Sequence, residues 1–169
     1  MGTGGQGILT AGTVLAHAAV ENGMEVALAP VYSAEVRGGT SFVELIISDR
    51  PIENPFMDHA DIIICLTEKD FDSLIHHMND KTEFFSDESV DIKNIPCNCR
   101  KTRLKFLDEN TFRDSRKVGL ILLGFVIQHS FREFMCSAEN EIMKKRLCTE
   151  AEWITIRETV EQLADIVFC

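Results

Sequence analysis

Gly2-Thr3-Gly4-Gly5-Gln6-Gly7 stands one residue from the start of the 169-residue sequence and runs straight into Ile8-Leu9-Thr10-Ala11-Gly12. The six residues fit G-x-G-x-x-G, and Ile8, Ala11, Leu15, Ala18 and Ala19 continue at helical spacing up to Gly23, where a C-terminal glycine cap belongs. A glycine turn that opens directly onto a helix aims several backbone N–H groups and the positive helix end at one point, which suits an anion. The small residues let that helix lie close to a sheet. This predicts an α/β fold, a Rossmann-like and mostly parallel sheet with flanking helices, lacking the first strand because only Met1 precedes the glycines.

Outward from the motif, Val26 to Ala29 reads as a short strand stopped by Pro30, and Ser41 to Ser48 as a strand whose Glu44 marks a face or edge not fully buried. Asp61-Ile62-Ile63-Ile64-Cys65-Leu66 lacks polar alternation, as an interior strand does. Thr67 is expected to cap a helix with the apolar stripe Phe71, Leu74, Ile75 and Met78. Glu83-Phe84-Phe85 and Val90 to Pro96 are two more strand candidates, and the charged residues from Arg100 to Lys117 give the weakest pattern. Val118 to Ile127 is too short to span a bilayer and reads as a buried helix. A helix is expected from Ser137 to near Cys148, and Thr149 with Glu152 forms a capping box before the seam Trp153, Ile156, Val160, Leu163 and Val167. With no repeat or linker, residues 1–169 read as one domain.

Composition narrows the function. Lys and Arg number 17 against 27 Asp and Glu, so the net charge of −10 excludes a broad nucleic-acid surface, and any anion must be held locally. No leader pattern or membrane span is present, which predicts a cytoplasmic protein without membrane partners. The six cysteines contain no CxxC pair; Cys97-Asn98-Cys99 reads as two reduced thiols, and neither an iron–sulfur cluster nor zinc is expected in this chain.

Several readings compete for the glycines. A nicotinamide or flavin site expects an acid at the end of the second strand, yet that strand ends Ala27-Leu28-Ala29-Pro30. No Lys-Ser or Lys-Thr follows, which disfavours a P-loop, and a tight turn that binds nothing stays open. Arg37-Gly38-Gly39-Thr40, a cation followed by unhindered amides and a hydroxyl, forms a second anion-compatible loop at the neighbouring strand ends; a surface ion pair with Glu35 is the plainer alternative for Arg37.

Taken together, Gly2 to Gly7 with Ala11-Gly12, then Pro30-Val31-Tyr32-Ser33-Ala34-Glu35-Val36-Arg37-Gly38-Gly39-Thr40, then Ile47-Ser48-Asp49-Arg50-Pro51-Ile52, resemble the gamma subunit of 2-oxoacid:ferredoxin oxidoreductases, over about Gly2 to Leu66. The small subunit of indolepyruvate oxidoreductase shares much of the pattern, but Tyr32, Glu35 and Arg37 are closer to the 2-oxoglutarate and branched 2-oxoacid forms. The resemblance implies a complex that converts a 2-oxoacid and coenzyme A to an acyl-CoA, with electrons passed to ferredoxin. It also implies that thiamine-binding alpha and beta subunits and a ferredoxin-like subunit hold the thiamine pyrophosphate and iron–sulfur clusters. This chain alone would bind no cofactor and be inactive by itself. Gly2, Thr3, Gly4, Gly5, Gln6, Gly7, Tyr32, Glu35, Arg37, Gly38, Gly39 and Thr40 would help shape a site for coenzyme A or another cofactor phosphate. The other class of function is a stand-alone nucleotide-binding or scaffold protein built on the same domain. Ser33 stands where the family has glycine, and the apolar strand that the family places before the glycine loop is reduced to Met1. Either the reading frame starts upstream, which is favoured, or the sheet is one strand short.

Overall fold

The structure, a computed structural model, describes residues 1–32, 39–92, 95, 99–105 and 117–168. Helix α1 spans Ile8–Glu21 and ends as its glycine signals. Gly23 takes φ +80°, its N–H donates to Val20 O at 3.0 Å, and Met24 N–H donates to Ala19 O at 3.0 Å, the two bonds of a Schellman cap. Strand β2, Glu25–Tyr32, pairs antiparallel with β3, Thr40–Ser48, from Glu25↔Ser48 to Tyr32↔Ser41. Pro30 was expected to end β2 and does not. β2 is the outer strand of its sheet, where a residue without an N–H is accommodated.

Strand β1 is the two residues Gly2–Thr3, antiparallel to β3 with Gly2 opposite Ser41 and Thr3 opposite Thr40. The place of the first strand is thus taken by the start of the glycine motif itself. On the other side of β1, the Met1 amine donates to Ile64 O at 2.6 Å and Leu66 N–H donates to Met1 O at 2.9 Å, the pattern of a parallel bridge centred on Cys65. Met1 therefore joins the sheet β1-β3-β2 to the parallel sheet β4-β5-β6, made of Ile62–Cys65, Glu83–Asp87 and Arg100–Leu104. The β2–β3 hairpin is antiparallel because only seven positions, 33–39, separate its strands, too few for the crossover a parallel pair requires.

Two sequence expectations need correction in this half. The helix after Thr67 shrinks to one turn, α2, Asp72–Ile75. Thr67 Oγ1 accepts from Lys69 N–H at 3.2 Å and so closes a local turn instead of capping a helix, and Asp70 breaks the run at φ +59°. Bonds to the third preceding residue, such as Leu74 N–H to Phe71 O at 2.8 Å and His77 N–H to Leu74 O at 3.0 Å, carry the rest of the segment. Phe71, Leu74 and Met78 are nevertheless buried, packed with Ile63 and Phe84 under one face of the sheet. The third parallel strand is β6, whose exposed Arg100, Lys101 and Arg103 suit a sheet edge; of the expected strand Val90 to Pro96, residues 90–92 and 95 are in no strand and the others lie outside the described residues.

On the opposite side lie α1, α3 (Val118–Ser130), α4 (Met135–Lys144) and α5 (Glu150–Phe168). α4 starts two residues before Ser137 and stops well short of Cys148. The capping box of α5 forms as expected, with Thr149 N–H donating to Glu152 Oε2 at 2.9 Å and Glu152 N–H to Thr149 Oγ1 at 3.3 Å. Phe125, Ile127, Phe134, Ile142, Trp153 and Ile156 fill the main core between these helices and the sheet. Among the described residues no helix is long and apolar enough to cross a membrane.

Candidate functional site

The glycine turn is held from four sides. Thr3 N–H donates to the Gln6 side-chain Oε1 at 2.7 Å, and Gln6 N–H returns to Thr3 O at 3.2 Å. A side chain on Gly2 would meet Gln6 Oε1 at 2.5 Å. Gly4 N–H donates to Gly39 O at 2.9 Å, which ties the first glycine loop to the second. At the rear, Gly119 N–H donates to Gln6 O at 2.8 Å, and a Cβ on Gly119 would lie 2.3 Å from Gly7 O, so α3 reaches the turn only through a glycine. Gly5 and Gly7 adopt φ +97° and +76°.

Gly7 is the N-cap of α1, and the first turn of that helix has neither a capping side chain nor an acidic residue. Its leading amides have no acceptor within the helix. They open onto a cavity of about 590 Å³ lined by Gly4, Gly5 and Gly7 to Thr10, by Ser41, by Lys117 and Leu120 at the start of α3, and by Arg146 and Leu147 after α4. Nothing lies within 4 Å of where a Cβ on Gly5 would sit, so the turn is unobstructed.

The two cations of this cavity differ. Lys117 Nζ is bound to Glu152 Oε1, and that hydrogen bond is the main cause holding the Glu152 carboxyl below the usual carboxylate range. Much of the Lys117 charge is therefore already matched. Burial, with the nearby Glu152 charge, pushes the adjacent Cys148 thiol up, so it is not a reactive thiolate. Arg146 is exposed and has no carboxylate partner among the described residues. It occupies φ +52°, with its N–H donating to Met143 O at 3.0 Å and Leu147 N–H to Ile142 O at 3.1 Å. This is a second Schellman cap, with arginine in the seat that glycine normally fills.

Of the residues singled out in the sequence, Gly2 to Gly7, Gly39 and Thr40 come together. Gly4, Gly5 and Gly7 border the cavity, whereas Gly2 and Gln6 brace the turn. Thr40 is buried opposite Thr3, and its hydroxyl has no hydrogen-bond partner among the described residues. Tyr32 ends β2 opposite Ser41. Glu35, Arg37 and Gly38, with Ser33 and Cys97, lie outside the described residues. Thr10, Ser41, Lys117 and Arg146 were missed. Arg146 lies in the basic run Lys144-Lys145-Arg146, but only the folding of α4 against α1 brings a residue so distant in sequence to the glycines. Among the described residues no three His, Cys, Asp or Glu side chains are grouped to hold a metal, and Cys65, Cys136 and Cys148 are in no disulfide.

A glycine turn and helix N-terminus beside a two-layered α/β sheet, facing a cavity that Arg146 borders, define an α/β domain of Rossmann-like class. The chain belongs to the pyruvate ferredoxin/flavodoxin oxidoreductase family, whose sequence profile matches residues 1–150. It is 42% identical over 72 residues to the 2-oxoglutarate synthase subunit KorC of Methanocaldococcus jannaschii, covering 42% of this chain and 38% of that one. It is 35% identical over 79 residues to the ketoisovalerate oxidoreductase subunit VorA of Methanothermobacter thermautotrophicus, covering 47% of this chain and 17% of that one. The matches thus span less than half the length of these relatives. Among solved structures, the keto/oxoacid ferredoxin oxidoreductase gamma subunit of Geobacter sulfurreducens superposes with a TM-score of 0.71 at 20% identity, covering 99% of this chain and 95% of that one. The 2-oxoglutarate:ferredoxin oxidoreductase of Magnetococcus marinus, solved with 2-oxoglutarate, coenzyme A and succinyl-CoA bound, superposes with a TM-score of 0.79 at 19% identity, over 97% of this chain and 30% of that one. Both share the fold.

Proposed function

We propose that this chain is the gamma subunit of a cytoplasmic, thiamine-pyrophosphate-dependent 2-oxoacid:ferredoxin oxidoreductase, acting as a single domain that provides part of a coenzyme A or cofactor phosphate site and is inactive alone. Family membership and the names of the KorC and VorA relatives support the reaction class. The observation that carries the site is the cavity in which the free amides of Gly5, Gly7 and the first turn of α1 meet Arg146. The donor set fits a phosphate: backbone N–H groups, the positive end of α1, the hydroxyls of Thr10 and Ser41, and one guanidinium able to give two parallel bonds. Thiamine pyrophosphate, held by the alpha and beta subunits, would supply carbanion stabilisation, and the iron–sulfur clusters of those subunits and a ferredoxin-like subunit would carry the electrons. The residues of this chain bind and orient the phosphate end of the acyl acceptor, with Gly4, Gly5 and Gly7 at the cavity and Gly39 bound behind Gly4.

Arg146→Ala in the assembled complex tests the reading. Losing one charge-assisted contact costs about 1.5–3 kcal/mol, so the KM for coenzyme A is expected to rise at least roughly tenfold while the KM for the 2-oxoacid stays the same. An unchanged KM for coenzyme A in a correctly assembled complex would remove Arg146 from the site.

A further inference from the structure

Lys144, Lys145 and Arg146 follow one another at the end of α4, and the first two are already engaged. One oxygen of the Glu141 carboxylate takes Lys144 Nζ at 3.5 Å and the other takes Lys145 Nζ at 3.1 Å. Only 3% of the Glu141 side chain reaches solvent, so removing its lysines would strand a buried charge, and both pairs are fixed parts of the fold. Neither lysine lines the cavity of the glycine turn; Arg146 and Lys117 do.

Lys117 is held in a different way from the α4 lysines. It is the N-cap of α3, its side chain is 17% exposed, and its partner Glu152 is 38% exposed. Glu152 Oε1 takes the ammonium, while Oε2 accepts from Thr149 N–H at 2.9 Å. Glu152 also stands in the first turn of α5, where the positive helix end favours a carboxylate. Water, the Thr149 N–H and that helix end satisfy the carboxylate without Lys117, so letting the lysine go costs Glu152 little. The ammonium, the more buried of the two, needs an anion in its place. Among the described residues that line the cavity none is acidic, which leaves an incoming anion as the alternative partner.

On the reading of this cavity as a phosphate site, we infer that Lys117 is a second phosphate-binding cation held in reserve by Glu152, and that the ligand binds by exchange. The Lys117 ammonium leaves the Glu152 carboxylate for a phosphate oxygen, and Glu152 turns to water while keeping its bond to Thr149. On release the exchange runs backwards, with Glu152 retaking the lysine as the phosphate departs. Glu152 is thus a competitor built into the capping box of α5, and it weakens binding so that a ligand needed only for one turnover is let go.

Glu152→Gln separates charge from fold, because glutamine also serves at this position of a capping box. The full 169-residue chain and its Glu152→Gln, Lys117→Met, Glu152→Gln/Lys117→Met and Arg146→Ala forms are titrated with inorganic pyrophosphate, followed by the amide shifts of Gly5, Gly7 and Ile8. Glu152→Gln is expected to lower the Kd about fivefold at low salt, the size of effect open to a half-exposed ion pair, with the gain shrinking as salt is added. Lys117→Met is expected to raise the Kd, and the double variant to match it, since Glu152 acts only through Lys117. A Kd that is unchanged or higher in Glu152→Gln, or a gain that persists in the double variant, would overturn the inference. If Arg146→Ala still weakened binding in that case, the phosphate site would stand without the exchange. Binding that neither Arg146→Ala nor Lys117→Met altered would remove the phosphate site as well.

Discussion

Arg146 holds a backbone conformation that an L side chain takes at a cost of roughly 1 kcal/mol, in a cap where glycine would fit without strain. It also borders the cavity that the glycine turn lines, with no carboxylate partner among the described residues. Stability and binding therefore pull in opposite directions at this position. Arg146→Gly is expected to stabilise the isolated chain by up to about 1 kcal/mol, read as a higher urea midpoint with an unchanged slope, while weakening coenzyme A binding in the complex. A loss of stability would show that the arginine is held by packing instead. Gly119 is constrained in the opposite sense, because the 2.3 Å approach of Gly7 O leaves no room for any side chain, although the sequence gives this glycine no motif.

At the scale of elements, β1 and the preceding Met1 govern how the two halves of the sheet meet, through two antiparallel pairs of β1 to β3 and the hydrogen bonds of Met1 to Ile64 in β4 and to Leu66 just after it. Burial holds the pKa of the Met1 ammonium below its ordinary value of 8.0. A cationic group whose folded pKa is lowered binds its proton more readily when unfolded, so stability rises as the pH climbs from the folded value towards 8.0 and levels off above it. Burial pushes the Cys65 thiol above 9.0, which lowers stability only at still higher pH. Urea midpoints of the 169-residue chain should therefore increase between pH 6 and 8.5, and N-terminal acetylation should flatten that rise; an identical slope after acetylation would place the titrating group elsewhere. The elements most legible in the sequence were those whose signals are local: the Gly23 cap, the Thr149–Glu152 box and the uninterrupted apolar run of α3. Those misread depend on non-local surroundings. Pro30 is tolerated because, among the described residues, β2 has no neighbour on its outer side, and β6 forms from charged residues because β5 is there to pair with them.

For the whole molecule, the glycine turn and the helix that follows it could be anticipated, since they follow from turn chemistry and hydrophobic period. The cavity could not. Its fourth side comes from the end of α4, brought round by the packing of α4 on α1 and of α3 on α5, and no spacing in the sequence encodes that meeting. The net charge of −10 is compatible with the proposed site, because an acidic protein would hold a phosphate with a few enclosed donors instead of a broad basic face. Purification of the tagged chain from its own cells, followed by an assay for 2-oxoacid- and coenzyme A-dependent reduction of ferredoxin or a low-potential dye, tests the central claim most directly. The account predicts that the chain emerges with thiamine-binding and iron–sulfur subunits, that the preparation is active, and that activity is lost when this chain is stripped away. Recovery of the chain by itself at native concentration, with no such activity, would contradict it.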